Sequence, residues 1–395
     1  MTDRTAIKQE VGRTLLSFAE ALDREEFGPK VRVGLTTLGS ELEPIHLVRG
    51  AEAAVRRSPG LEVVLIGPKV ETDLETVEVN DEANMHNVME TLLDEGKIQA
   101  CVTMHYNFPI GVSTVGRVVT PGFGKDMFIA TTTGTSATHR AAAMVKNALY
   151  GIIAAKAMGI ENPTLGILNL DGAKQVERAL KTLKANGYPV NFSESVRSDG
   201  GSIMRGNDLL TGSADVMVTD TLTGNIMMKV FSSYTTGGSY EAMGDGYGPG
   251  IGEDQQRIVL ILSRASGTPV VANALLYAAS LVKGSLVQVA KDEFAKAKKA
   301  GLDEILAGLT ADTKKTEASE EKVEAPPKEI VTGSISGIEV MDIDDAVLVL
   351  WKAGIYAEGG MGCTGPVVMV AEEKVHQAAQ ILAKAGYVGM EGDTC

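Results

Sequence analysis

Short unbroken runs of aliphatic residues recur through residues 31–309, and each is followed by a longer stretch with helical spacing. Val31-Arg32-Val33-Gly34-Leu35, Glu62 to Ile66, Ala100 to Met104, Phe128 to Ala130, Leu165 to Leu170, Asp215 to Thr219 and Ile258 to Leu262 are the strand-like runs. Helical patterns cover about Ile45–Arg57, Asn84–Asp94, Thr138–Met158, Lys174–Asn186, Ile226–Tyr234, Val270–Val282 and Val287–Ala300. The strands do not alternate apolar with polar residues, so both of their faces must be covered. Parallel strands joined by crossover helices meet that demand. The expected fold class is therefore α/β, a doubly wound, mostly parallel sheet.

The chain of 395 residues is long enough for two or three domains and a large core. Aromatics are scarce at 5%, and the 44 glycines fit tightly turned α/β structure better than an aromatic-rich sandwich. A formal net charge of −14 repels phosphate backbones and argues against a nucleic-acid partner. Cys101, Cys363 and Cys395 are odd in number and widely spaced, which excludes a disulfide framework and suits a reducing cytoplasm. The polar amino terminus lacks the apolar core of a signal peptide, and no apolar run is long enough to span a bilayer. The five histidines show no metal-ligand spacing, so neither metal nor cofactor is expected; His105, near Cys101, is a minor base candidate. No G-x-G-x-x-G follows a first strand and no Walker-type loop occurs, which counts against dinucleotide and nucleoside-triphosphate sites.

Four segments follow. Residues 1–30 hold an amphipathic helical arm over about 3–28, with Leu15, Leu16, Phe18, Ala19 and Leu22 on one side. Residues 31–309 are the α/β domain. Inside it, Gly237–Gly252 carries seven glycines in sixteen positions and suggests a mobile loop or lid. Residues 310–329 are highly charged, nearly devoid of large apolar side chains, and contain a Pro-Pro pair; they predict a disordered linker. Residues 330–395 form a small β-α-β-α module with Cys363 between its halves, in Gly359-Gly360-Met361-Gly362-Cys363-Thr364-Gly365-Pro366. A cysteine on a glycine-rich turn can carry an acyl group while backbone amides stabilise the oxyanion. The same residue in the same turn is also compatible with a passive buried thiol.

Three stretches are expected at the carboxyl ends of strands, where ligands bind in open α/β sheets. They are Thr36–Glu41; Thr131–Ser136, read as opening a helix with His139 and Arg140 in its first turn; and Asp220–Lys229, with Gly224 and Asn225 at its start. Each alone is satisfied by ordinary helix capping. Three together favour an anion such as phosphate at exposed helix N–H groups. The candidate phosphate- or acyl-binding residues are Gly134, Thr135, Ser136, Asp220, Gly224, Asn225 and Lys229, and the candidate catalytic residue is Cys363.

The segments VGLTTLGSELEP, TTTGTSA, IENPTLGILNLDGA and DVMVTDTLTGNIMMK make residues 31–309 resemble the phosphate acyltransferases of phospholipid synthesis. Asp220, Gly224, Asn225 and Lys229 stand where that family has its Asp, Gly-Asn and Lys. Ser40 and Glu41 replace its Gly-Asp pair, and the acid before Gly172-Ala173 is shifted to Asp171. This resemblance implies a fold like the isocitrate and isopropylmalate dehydrogenases. With the charged linker and the GGMGCTGP segment included, the whole chain resembles the component C alpha-subunit family of glycine/sarcosine/betaine reductase. That resemblance implies an anaerobe's cytoplasm, a beta subunit similar to ketoacyl synthases, carboxymethylated selenoprotein A as donor, and acetyl phosphate as product. Cys363 maps onto the family's acetyl-carrying cysteine.

Together these readings imply that Cys363 accepts an acetyl group, the linker carries it to the cleft, and phosphate attacks the thioester. About twenty flexible residues span about 25 Å, comparable to a domain's width. Two rivals predict otherwise: an acyltransferase working without a cysteine intermediate, and a non-catalytic scaffold subunit.

Overall fold

The computed structural model describes residues 30–198, 200–318, 325–338, 342–362 and 365–388, with residues 8, 11–16 and 19 of the amino-terminal segment. Residues 11–16 are helical, and Leu15 and Leu16 are exposed. Phe18 and Leu22 of the expected amphipathic face lie outside the described residues. The chain divides into two compact units, Met1–Thr310 and Ala311–Cys395.

The first unit is built on β1 (Val31–Thr36), α1 (Pro44–Arg57), β2 (Leu61–Gly67), β3 (Glu75–Glu78), α2 (Glu82–Asp94), β4 (Ala100–Thr103), β5 (Val112–Val119) and β6 (Asp126–Thr135). The chain continues through α3 (Arg140–Ala157), β7 (Thr164–Leu168), α4 (Ala173–Ala185), β8 (Asn191–Phe192), β9 (Ile203–Met204), α5 (Gly206–Thr211), β10 (Val216–Val218) and α6 (Thr221–Ser233). It ends with β11 (Gly248–Ile251), β12 (Ile258–Ile261), α7 (Thr268–Lys283), α8 (Leu286–Lys299) and the first turns of α9 (Leu302–Ala318), a helix that continues past Thr310. One sheet runs β3-β2-β1-β4-β12-β11-β5-β6-β10-β7-β8, with β9 also paired to β7. The apolar strand runs are buried on both faces, as their lack of alternation requires. Leu35, Val63 and Leu65 pack beneath α1 in one cluster, while Val64, Ile66 and Cys101 pack against Met85 and Met89 of α2 in another. Pro44 and Pro269 sit in the first turns of α1 and α7, where the missing N–H costs nothing.

Helix α3 is buried along most of its length. Gly151 explains its approach to the sheet, since a Cβ there would lie 2.3 Å from Val216 Cγ1 and 3.0 Å from Ala130 Cβ. Tyr188 and Lys156 converge on buried Glu293 of α8, at 2.8 Å each, which ties α3 and α8 to the strand edge. Among the described residues no single helix is long and apolar enough to cross a membrane; α7 and α8 pass only as a pair, bent by 61°.

Two expectations need correction. First, the sheet is mostly parallel as expected, but the three ligand-binding stretches do not share one edge of it, because the adjoining pairings β12–β11, β11–β5 and β5–β6 are antiparallel. Three reversals in succession leave β6, β7 and β10 opposite in sense to β1, β4 and β12. The carboxyl ends of β1 and β10 therefore do not share one edge of the sheet. Second, the carboxyl half of the glycine-rich segment is not a mobile loop, while Gly237–Tyr240 is an exposed turn. Gly248–Ile251 is β11, buried in the middle of the sheet between β12 and β5. A Cβ on Gly248 would fall 1.7 Å from the Val115 carbonyl oxygen, and one on Gly250 would fall 2.3 Å from the Phe108 ring. These glycines permit close backbone approach, a use that composition alone does not separate from flexibility.

Helix α9 continues to Ala318, into the stretch expected to be unstructured. Lack of apolar residues argues against burial but not against helix. Residues 310–318 contain neither Gly nor Pro, and Lys, Glu and Ala propagate a helix already anchored by Ile305, Leu306 and Leu309 against the core.

The second unit holds β13 (Gly333–Ile335), α10 (Ile343–Lys352), β14 (Ala357–Gly362), β15 (Gly365–Val370) and α11 (Val375–Lys384). Its sheet is β13-β15-β14, antiparallel throughout. Ile335, Ile343, Ala346, Leu350, Val368, Val370, Ala378 and Leu382 form its core. The expected β-α-β-α order omitted β14, because its glycines hide strand propensity; pairing with β15 supplies what composition does not.

Candidate functional site

Helix α6 organises the site. Asp220 caps it, its Oδ1 accepting from the Thr223 amide at 2.8 Å. Its Oδ2 accepts from Arg140 Nη2 at 2.6 Å, and Arg140 Nη1 reaches Asp171 at 3.2 Å. Partial burial pushes the Asp220 carboxyl up, but the Thr223 amide and the Arg140 guanidinium outweigh it and hold the group below the usual carboxylate range. Gly224 lets α6 start directly against β6: a Cβ would lie 1.8 Å from the Thr131 carbonyl oxygen. Asn225 Nδ2 donates to the Thr132 carbonyl at 3.0 Å, and the Thr131 and Thr221 hydroxyls meet at 3.2 Å.

Asp220 and Lys229 are nine residues apart, so α6 carries Lys229 roughly 14 Å back along the sheet. There Lys229 Nζ donates to Glu241 Oε1 at 2.9 Å and to Ser263 Oγ at 2.6 Å, and lies 5.8 Å above the Tyr247 ring. The lysine side chain is 51% exposed, whereas that of Glu241 is 2% exposed. Glu241 also accepts from Tyr247 Oη at 3.3 Å and Ser266 Oγ at 3.1 Å. Burial, and then the Glu241 charge, push the Tyr247 phenol up, so it stays a donor. The loop after β1 joins this end. The Ser40 hydroxyl and Glu41 amide donate to the Arg264 carbonyl at 3.3 and 2.9 Å. Helix α6 thus links the two expected ligand-binding edges that the strand reversals set apart.

The remaining predicted residues separate. Thr131–Thr135 belongs to β6, and the following helix starts later, at Arg140, with His139 Nδ1 capping the Ala142 amide at 3.3 Å. Gly134 pairs with Ser113, and Thr135, exposed, pairs with Val112. Ser136 is not available to a ligand. It is buried, donating to Asn147 Oδ1 at 2.6 Å, and Asn147 Nδ2 holds the Thr219 carbonyl at 2.8 Å. Its role is to fix the end of β10 just before Asp220. The Cys101 thiol is buried in β4 and pushed up by that burial, which makes it inert. His105 follows β4, its ring 6.4 Å from that of His86. Cys363 lies outside the described residues; β14 ends at Gly362 and β15 begins at Gly365, these two being paired. Among the described residues no three His, Cys, Asp or Glu side chains group as metal ligands.

Sequence reasoning missed Glu241, Ser263 and Ser266 and noted Arg140 only as a neighbour. Glu241 lay in a segment read as flexible, and the two serines in a loop without any motif. Chemically, the arrangement presents an ammonium group, backed by a buried carboxylate, on a helix whose first turn is tightly capped. Such a group binds anions.

The family described as "Fatty acid synthesis protein" matches residues 31–369, spanning both units. Phosphate acyltransferase from Thermotoga petrophila is 28% identical over 235 residues, 51% of this chain and 67% of its own. A branched-chain phosphotransacylase structure from Enterococcus faecalis aligns with a TM-score of 0.45 and 18% identity, covering 64% of this chain and 99% of that one. The glycine/sarcosine/betaine reductase complex component C subunit alpha of Peptoclostridium acidaminophilum is 67% identical over 382 residues, 97% of this chain and 99% of its own. Within the broader fatty acid synthesis protein family, the chain belongs to the component C alpha-subunit family of glycine/sarcosine/betaine reductase.

Proposed function

We propose that this chain transfers an acetyl group from Cys363 to inorganic phosphate, as the acyl-transferring subunit of a glycine/sarcosine/betaine reductase. The observation that carries this reading is the half-exposed Lys229 ammonium, fixed on α6 within the residues matched by the family model. Lys229 binds the phosphate dianion. Asn225 and Gly224 set the approach of α6 to β6, and Asp220 with Arg140 pins its first turn. A phosphate oxygen attacks the thioester carbonyl, the C–O bond forms, the C–S bond breaks, and the Cys363 thiolate departs. The module that carries Cys363 delivers the acetyl group to the α6 site. The partners are a ketoacyl-synthase-like beta subunit and carboxymethylated selenoprotein A, in the cytoplasm of an anaerobe.

The test is to incubate the protein and its beta subunit with an acetyl donor, quench in acid, and map the acetylated peptide by mass spectrometry. An adduct on Cys363 that disappears on adding phosphate, with acetyl phosphate released, supports the mechanism. Acetyl phosphate without any adduct in single-turnover samples favours direct acyl transfer. Neither adduct nor product leaves a scaffold.

A further inference from the structure

We infer that Glu241 is the positioning residue that aims the Lys229 ammonium at the anion in the transfer site. The inference rests on reading Lys229 as the anion-binding group. Lys229, Glu241, Ser266 and Ser263 close a ring of hydrogen bonds across three separate segments. Lys229 Nζ donates to Glu241 Oε1 at 2.9 Å, and Ser266 Oγ donates to Glu241 Oε2 at 3.1 Å. The Ser263 amide donates to Ser266 Oγ at 3.2 Å, and Lys229 Nζ donates to Ser263 Oγ at 2.6 Å. Glu241 is itself fixed by its backbone, its amide reaching the Ala265 carbonyl at 2.9 Å and its carbonyl accepting from the Gly267 amide at 2.8 Å.

A lysine side chain is long and normally free to sample many rotamers. Here two of its three N–H bonds are taken by Glu241 and Ser263, which leaves the third for another acceptor. The carboxylate is 2% exposed and the ammonium half-exposed, so the buried partner holds the lysine from the protein side while solvent reaches it from the other. Burying a carboxylate is costly, and a surface lysine needs no such partner for solubility. The Glu241 carboxylate also accepts from Tyr247, whose carbonyl in turn accepts from the Thr132 hydroxyl at 2.8 Å, beside Asn225. The two ends of α6 are thereby joined through the segment that carries Glu241.

The test uses the full chain with its partner subunit, in wild-type, Glu241→Gln, Glu241→Asp, Glu241→Ala and Lys229→Ala forms, each checked by thermal melting. The first readout is the rate at which an amine-acetylating reagent labels Lys229, measured by peptide mass spectrometry against Lys181 in the same sample. Loss of a charge-assisted bond releases Lys229, and labelling in Glu241→Gln and Glu241→Ala rises roughly tenfold. Unchanged labelling overturns the inference whatever the reaction proves to be. The second readout is the phosphate dependence of turnover. Glu241→Gln raises the KM for phosphate about tenfold with a smaller change in kcat, and Glu241→Asp recovers part of the loss. A merely structural role predicts a lowered melting temperature with KM intact, and that result also overturns the inference. Unchanged turnover in Lys229→Ala removes both the inference and the transfer reading beneath it.

Discussion

Replacing Gly224 by alanine tests whether the seating of α6 on β6 sets the site. By helix propensity alone alanine is better than glycine by about 1 kcal/mol. The tertiary contact opposes this. The new Cβ would lie 1.8 Å from the Thr131 carbonyl oxygen, with Thr219 Oγ1 at 2.8 Å. An ordinary carbon–oxygen contact needs about 3.3 Å, so α6 must withdraw by roughly 1.5 Å. That movement stretches the Asn225–Thr132 bond of 3.0 Å beyond hydrogen-bonding range and leaves a gap beneath Met228 and Phe231, both buried. Overpacking of this kind costs about 1–3 kcal/mol, which outweighs the propensity gain and lowers the melting temperature by several degrees. It also displaces Lys229 from Ser263 and Glu241. An error of about 1 Å in a binding group can cost on the order of a hundredfold in rate. Gly308→Ala is the control, because Gly308 is an exposed residue inside α9 with nothing within 4 Å of an added Cβ. It should match or slightly exceed wild-type stability and keep full turnover. A Gly224→Ala protein with wild-type melting and turnover would refute the argument that this close contact positions the site.

Other expectations are more local. Cys363→Ser abolishes phosphate-dependent turnover with melting unchanged; full activity removes the thioester intermediate. Gly248→Ala fails to accumulate as folded protein, since its Cβ would meet the Val115 carbonyl at 1.7 Å and its φ is +81°; normal soluble yield and melting would contradict the burial of β11. Asp245 is raised from 3.8 to about 6, chiefly by burial, which outweighs the attraction of Arg117, 2.7 Å away. A carboxyl raised on folding binds its proton more tightly in the folded state, so its contribution to stability is lost as pH rises through 4 to 6. Asp245→Asn should flatten stability over that window in urea titrations; an unaltered profile refutes the assignment. For Asp220 the sign is opposite: its depressed value gives stability present above the ordinary carboxylate range and lost in acid. Asp220→Asn keeps the cap but loses the half-exposed Arg140, costing at most about 1 kcal/mol at neutral pH; a loss of several kcal/mol would show that the ion pair is stronger than its exposure implies.

Local pattern marked β1, β2, β4, β6, β7, β10 and β12 with their main covering helices, because unbroken apolar runs can satisfy both faces only inside a covered sheet; it passed over β3, β5, β8, β9 and β11, which lack such runs or carry glycines. It also marked Asp220, Gly224, Asn225 and Lys229 as one unit, since capping and helical spacing are local properties. It did not determine strand sense. Of the three antiparallel pairings, β5–β6 and β11–β12 join strands that are close in sequence, but β11–β5 depends on residues more than a hundred positions apart, such as Gly250 with Thr114. Nor did it separate glycines that flex from glycines that pack, because the difference lies in the Val115 carbonyl and the Phe108 ring on distant segments. The partner of Lys229 was illegible for the same reason. Glu241 becomes a buried acceptor only when α6, the segment before β11 and the loop after β12 are brought together. Local chemistry chose the helix that carries the lysine; tertiary packing decided which way its ammonium points.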